Sequence, residues 1–518
     1  MQTSFTRTKP DLFRVGFITL IFILVVFTIV EKIVFFYKFS TVYTDGDQCI
    51  LWLAADELMK GHIHEPGFIG QAYNSSLEGW LAVPFAACGL PLYAALPLTT
   101  MIMSVLPFLL LGFHFYSQKN YLVVVAIFLC ALGFSLDYKL ISILPRGFIT
   151  GVFCFGIGYF LLLRLSKYRF FWFALFAFFG MVFNEMSFFL VFPVLFLEWL
   201  KNLKNSRFYY QTIIALLVAA SYKVYIYLFY NVFHTEYNLY IKILFVWKLS
   251  NLTDAINHLD TWFFNGFTLF FICTLFVLTF LIIKKHYKEF AVIVITLLLL
   301  LLSFGLDKVN DGIESIMYNK GRMYVFIPFL IAVFFSMCTP LLYVKEKWQM
   351  YISSIVFVFI SANVFMQQSV LDDKIKTEAQ IPDKIVSFMR VSDVLNVSKQ
   401  YIDICKETDN TIIVYDWYSK NDFILYVTIP ILSNNSVRTF FPECDRRTWV
   451  YIPFLTDTPK KILVSGNCGN KYTREGLKNY KRRVVKEDSK ICLVEYYLNR
   501  PLKETMSEDF KLSLRVYQ

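Results

Sequence analysis

The residues of this chain that could do chemistry gather in one polar interval, Tyr43–Trp80, which reads YTDGDQCILWLAADELMKGHIHEPGFIGQAYNSSLEGW. Asp45, Asp47, Asp56, Glu57, His62, His64, Glu65 and Glu78 all lie in it, and apolar runs flank it on both sides. A positioned carboxylate can take a proton from an attacking hydroxyl, and Asp47 is the preferred candidate for that base. The competing reading is local. Asp45 and Asp47 stand at the start of a helical pattern over Gln48–Lys60, where an Asp side chain accepts hydrogen bonds from free backbone N–H groups. Asp45 is read first as that cap and Asp47 first as the base. His62 and His64 form an H-x-H pair beside Glu65. Imidazole and carboxylate suit a transition metal, but two histidines on one loop do not specify a site. No metal ligand is assigned, and a divalent cation stays open as a cofactor.

Other polar groups fall between later apolar runs. Asp137, Lys139 and Arg146 lie between the third and the fourth, and Asn184-Glu185 forms a very short turn in MVFNEMSFF. A carboxylate at that depth is costly unless it is paired or faces water, so Glu185 reads equally as a cavity residue and as a structural one. Lys320 and Arg322 in YNKGRMYVF open a late span. Arg suits phosphate through bidentate geometry; the alternative is an Arg snorkelling at an interface.

The elements that must position these groups are apolar. The chain has 518 residues, 57% of them hydrophobic and 17% charged, with 56 Phe. A soluble domain of that composition would expose too much apolar surface. Runs long enough to cross a ~30 Å hydrocarbon core recur along the chain. The expected spans are Gly16–Phe36, Leu92–Phe115, Tyr121–Leu136, Phe148–Leu163, Phe170–Phe183, Phe188–Leu200, Tyr210–Tyr230, Trp262–Ile283, Phe290–Leu306, Met323–Tyr343 and Tyr351–Met366, with Trp80–Pro91 as a re-entrant or interfacial helix. The first span lacks a small-residue cleavage site and is expected to stay.

Orientation follows from charge. With the N-terminus inside, the loops that should be cytoplasmic carry Lys119; Arg164, Lys167 and Arg169; Lys201, Lys204 and Arg207; Lys284, Lys285 and Lys288; and Lys345 and Lys347. Nearly all the acids, among them Asp45, Asp47, Asp137, Glu185, Asp307, Asp311 and Glu314, fall on the other side. That separation is the positive-inside pattern. The net charge of +11 then serves orientation and contact with anionic lipid, and no basic, aromatic-laced soluble face suggests nucleic acid. From Gln367 onward charge rises, and strand-like runs appear at Thr411–Trp417, Lys461–Gly466 and Ile491–Tyr497. The expected architecture is a polytopic α-helical membrane protein with about 11 transmembrane helices and a cytoplasmic N-terminus. Residues 1–367 form the transmembrane domain, with the first outer loop at 37–91, and residues 368–518 form a soluble extracytoplasmic α/β domain with its own core. Of ten cysteines, Cys49, Cys88, Cys405, Cys444, Cys468 and Cys492 lie in or near polar regions without zinc-site spacing. They are free to form disulfides in an oxidising compartment, with no pairing readable.

Thr44–Pro84 resembles the opening loop of GT-C membrane glycosyltransferases, the superfamily of protein O-mannosyltransferases and lipid A aminoarabinose transferases. Asp47-Gln48 stands where that pattern has an Asp-Glu pair. Ala54–Lys60 and Gly61 match its helix and helix end, and Gly70, Tyr73, Leu77 and Glu78 match a G-Q-x-Y-x-x-S-L-E variant. Two departures matter: Gln48 replaces the Glu, and Asn74-Ser75-Ser76 stands in place of a Lys-Pro-Pro segment. The resemblance implies sugar transfer from a polyprenyl-phosphate donor to a surface glycan, lipid or protein, with Asp47 as base. It implies that Asp45, Gln48, Tyr73, Glu78, Arg146, Glu185, Lys320 and Arg322 line the substrate site. The competing functions are a polyprenyl-linked glycan polymerase or ligase, whose acting residues would sit in a later outer loop, and a lipid-linked-sugar flippase or transporter, which would carry charge near the midplane.

Overall fold

The computed structural model describes residues 12–69, 74–235, 246–259, 267–307, 324–338, 346–379, 388–415, 420–440, 459–465, 480–487 and 491–509. Tyr73, Lys320 and Arg322 lie outside them.

The helices follow the apolar runs. They are α1 (Leu12–Phe35), α2 (Gly46–Met59), α3 (Leu77–Ala87), α4 (Leu92–Ser117), α5 (Tyr121–Leu132), α6 (Leu136–Ile141), α7 (Thr150–Arg164), α8 (Arg169–Phe183), α9 (Phe188–Lys201) and α10 (Ser206–Leu228). After them come α11 (Leu249–Asn257), α12 (Phe267–Ile283), α13 (Tyr287–Ser303), α14 (Ile327–Met337), α15 (Glu346–Ala379), α16 (Val391–Glu407) and α17 (Lys420–Leu432). Each expected span overlaps one of these helices. By length and composition together, four stretches among the described residues are able to cross a membrane: Phe13–Ser40, Leu92–Ser117, Ser206–Phe233 and Lys347–Ala379. Shorter apolar helices pack among them. The span expected over Tyr121–Leu136 breaks at Leu132, and the short α6 follows.

Outward-facing side chains show what surrounds this bundle. Phe22, Leu217, Ile355 and Phe365 are each more than three-fifths exposed, a cost in water that disappears against lipid tails. Between helices the contacts are close. A Cβ on Gly180 would sit 3.1 Å from the Gly151 carbonyl oxygen, so α7 and α8 approach through small residues, as membrane helices commonly do.

The bundle has two chemically distinct ends. Arg164 Nη1 donates to Ser117 Oγ at 3.0 Å, and Lys201 Nζ lies 3.7 Å from Glu289. These pairs gather the basic ends of α4, α7, α9 and α13. At the opposite end Asn184 Nδ2 donates to the Phe148 carbonyl at 3.0 Å, which ties the α8–α9 turn to the entry of α7.

Strands β3 (Ile412–Tyr415), β4 (Arg438–Phe440), β5 (Lys461–Ser465), β6 (Arg482–Glu487) and β7 (Cys492–Tyr497) form a five-stranded sheet in the order β4-β3-β5-β7-β6. The β4-β3-β5 part is parallel, and β7 runs antiparallel to both neighbours. Every residue of β3 is buried, as a central strand covered on both faces must be. Cys492 is disulfide-bonded to a partner outside the described residues.

Two features describe the joint between the helical bundle and the C-terminal part. The boundary at 367–368 falls inside α15, which continues to Ala379. Composition turns polar near Gln367, but no Gly or Pro interrupts the backbone until Pro382, and without a breaker the helix continues. The apolar core of the C-terminal part also extends onto the first outer loop. Ile50, Leu51, Trp52 and Leu53 of α2 share one buried apolar cluster with Ile413, Val414, Leu425 and Leu463. A short antiparallel pairing reinforces the joint: Tyr43 and Thr44 (β1) face Arg390 and Met389 (β2).

Candidate active site

Helix α2 starts where it does because Asp45 caps it. Asp45 Oδ1 accepts the backbone N–H of Asp47 at 2.9 Å and of Gln48 at 3.1 Å, which satisfies donors that have no intrahelical partner. Its second oxygen accepts from Gln48 Nε2 at 3.1 Å and lies 3.3 Å from Arg146 Nε. Arg146 also reaches Asp47, with Nη2 donating to Oδ2 at 2.7 Å. One guanidinium therefore bridges two carboxylates two residues apart. Burial pushes the Asp45 carboxyl up, and the Arg146 guanidinium pulls against it. The exposure of the group is uneven: the Arg146 and Asp45 side chains are 3% and 1% exposed, whereas Asp47 is 39% exposed. Asp47 is the member that a substrate can reach.

Arg146 is delivered by a tight turn. Gly147 takes φ +79°, a region that glycine enters without steric cost. The Gly147 N–H donates to Glu78 Oε2 at 3.1 Å, and its carbonyl accepts from Thr150 Oγ1 at 2.8 Å. Glu78, at the start of α3, is fully buried. Its carboxyl holds the loop that carries Arg146 and meets no solvent. Burial pushes its pKa up to about 8. The folded state thus keeps a proton that the unfolded chain releases near pH 4.5, and stability falls as pH rises from about 4.5 to about 8. Glu78→Gln retains the acceptor for Gly147 and abolishes this dependence. Its melting temperature should stay flat across that window while the wild-type value declines. Parallel melts in detergent at a series of pH values check this, and an unchanged decline in the variant would assign it to another group.

The other expected residues are placed as follows. Asp45 and Gln48 are buried, and both serve the cap and the Arg146 bridge rather than presenting a free face. Asp45→Asn preserves the cap, because Asn is an equally good cap residue, and weakens the bridge. Transfer activity should fall less than about tenfold, compared in rate assays with the wild type, and a complete loss would move the base from Asp47 to Asp45. Glu185 is exposed on its turn. Asp137 pairs with Lys374 at 2.8 Å and Lys139 with Glu31 at 2.7 Å. Glu31 and its neighbour Lys32 went unremarked among the candidates. The signal was present in the first span, where IVEKIV places two charges inside an apolar run, and intramembrane ionisable groups are functional suspects by default.

The second half of the loop is tied down separately. Tyr230 donates to Glu65 Oε2 at 2.7 Å, and Tyr222 donates to the Pro66 carbonyl at 2.6 Å. His64 Nδ1 lies 3.3 Å from Glu65. Among the described residues no group of three or more His, Cys, Asp or Glu could hold a metal ion. The Asp45–Asp47 pair is engaged by the Arg146 guanidinium.

No protein-family model and no curated protein sequence matches this chain. Among solved structures, ArnT from Cupriavidus metallidurans bound to undecaprenyl phosphate superposes with a TM-score of 0.53 at 10% identity, over 91% of this chain and 97% of that one. The chain shares the fold of ArnT. The apo form of ArnT superposes over the same shares at 11% identity with a TM-score of 0.47. ArnT is a lipid A aminoarabinose transferase of GT-C fold, so the resemblance first carried by Thr44–Pro84 extends, as a fold, over nearly the whole chain.

Proposed function

We propose that this chain is an integral membrane glycosyltransferase. It moves a sugar from a polyprenyl-phosphate carrier to a surface glycan, lipid or protein on the outer face of the membrane. The observation that carries the reading is the half-exposed Asp47, fixed at the first turn of α2 by Arg146, in a chain of ArnT-like fold. The acceptor hydroxyl attacks the anomeric carbon, the bond from that carbon to the phosphate oxygen breaks, and the hydroxyl proton passes to Asp47. The polyprenyl phosphate leaves with the electron pair. Arg146 orients Asp47 through the hydrogen bond at 2.7 Å.

The gathering of basic loop ends at one end of the bundle supports a cytoplasmic side there and an outer side at α2. A disulfide at Cys492 fits an oxidising compartment for the C-terminal sheet. The test is sugar transfer by the purified full-length protein in lipid bilayers, assayed with a panel of labelled polyprenyl-phosphate sugars and a mixture of envelope acceptors. Transfer from one donor supports the reading. Movement of the lipid-linked sugar across the bilayer without transfer would instead make the chain a transporter.

A further inference from the structure

Thr28 and Lys32 of α1, Ser104 and Phe108 of α4, and Lys139 and Ser142 of α6 and its C-cap line one cavity of about 40 Å³. That is more than the roughly 10–15 Å³ one water needs. Arg146 follows Ser142 by four positions in the chain, so the cavity adjoins the segment that carries the Asp47 partner. Among the described residues Lys32 and Lys139 are the charged groups of its lining, which includes no carboxylate. Both lysines are buried, at 7% and 3% exposure. Their situations differ. Lys139 is neutralised by Glu31 at 2.7 Å. Lys32 has three donors, and among the described residues it makes one hydrogen bond, to Ser142 Oγ at 2.7 Å. Two ammonium groups thus stand against one carboxylate at a depth where an uncompensated charge is costly.

We propose that Lys32, supported by Lys139, receives the phosphate of a lipid phosphate. This rests on the reading of the chain as a polyprenyl-phosphate-dependent enzyme and names residues that would hold the carrier. An anionic head compensates the excess charge and fills the open donors of Lys32 with charge-assisted hydrogen bonds. The rest of the wall, including Val105, Phe108, Phe134 and Phe329, is apolar and suits the start of a hydrocarbon chain. Inorganic phosphate has the same head without the tail.

The experiment measures binding of a polyprenyl phosphate, the uncharged polyprenol and inorganic phosphate to the full-length protein in nanodiscs. Wild type is compared with Lys32→Met, Lys32→Arg and Glu31→Gln, each first checked by thermal melting. Lys32→Met should weaken polyprenyl phosphate at least about tenfold and leave polyprenol unchanged, and Lys32→Arg should restore most of the affinity. Glu31→Gln removes the competing carboxylate and should tighten binding, an opposite sign that a purely structural role would not produce. Equal binding of polyprenyl phosphate by wild type and Lys32→Met, with Glu31→Gln also unchanged, overturns this proposal alone. Absence of polyprenyl phosphate binding by the wild type overturns the enzyme reading with it. Lys32-dependent binding of inorganic phosphate that displaces no polyprenyl phosphate overturns the lipid assignment.

Discussion

Asp47→Asn abolishes sugar transfer and leaves the protein folded. Asn keeps the volume and an oxygen that can accept from Arg146, and its position at the start of α2 does not change. What is lost is the group that takes the acceptor proton, and removal of a positioned general base costs about 10²–10⁴-fold in rate. The stability cost is small because Asp47 is 39% exposed and an ion pair open to solvent contributes only about 0–1 kcal/mol. Arg146 meanwhile retains Asp45. Rates measured with the best donor, beside melting temperatures of both proteins in the same bilayers, check the two halves of this expectation. A well-folded variant with wild-type rates would remove Asp47 as base and turn attention to the exposed Glu185.

Arg146→Met has the opposite profile, a large loss of stability first and of activity with it. Its guanidinium is the cation that compensates Asp45, whose side chain is 1% exposed. Removing one partner of a buried ion pair costs about 3–5 kcal/mol, because the remaining charge stays buried without compensation. The effect should therefore depend on Asp45. Asp45→Asn in the Arg146→Met background deletes the stranded charge and should recover a large part of the lost melting temperature, whereas Asp45→Asn alone is mildly destabilising. The four proteins form a double-mutant cycle. Strict additivity in the melts would show that the bridge contributes no coupling and that Arg146 acts through packing alone. Arg146→Lys should not rescue fully, since one ammonium cannot offer two carboxylates the geometry of a planar guanidinium.

The part of the active-site region that was legible in the sequence is the part governed by near neighbours. The Asp45 cap, the helix after it and the reach of that helix to Met59 depend on residues within a turn or two. The apolar spans were legible for the same reason, although α15 ran past the expected boundary because composition changed there and backbone geometry did not. The acidity of Glu78 reads identically whether it faces a substrate or is sealed against Gly147. Only the fold around α3 distinguishes the two.

Charge pattern and hydrophobic length, both additive along the chain, were enough to indicate a largely helical membrane protein and to single out the first polar loop. Which acids act together was decided by tertiary structure. Arg146 meets Asp47 across 99 positions and Lys139 meets Glu31 across 108, separations at which no periodicity or capping rule carries information. The same holds for α2, whose apolar face could have been buried in the bundle, in lipid or against a sheet. It packs against α17 and shares a buried apolar cluster with the C-terminal part, with the β1–β2 pairing nearby in the chain. Partner choice over such distances is a packing outcome, set by which surfaces remain to be covered once the local elements have formed.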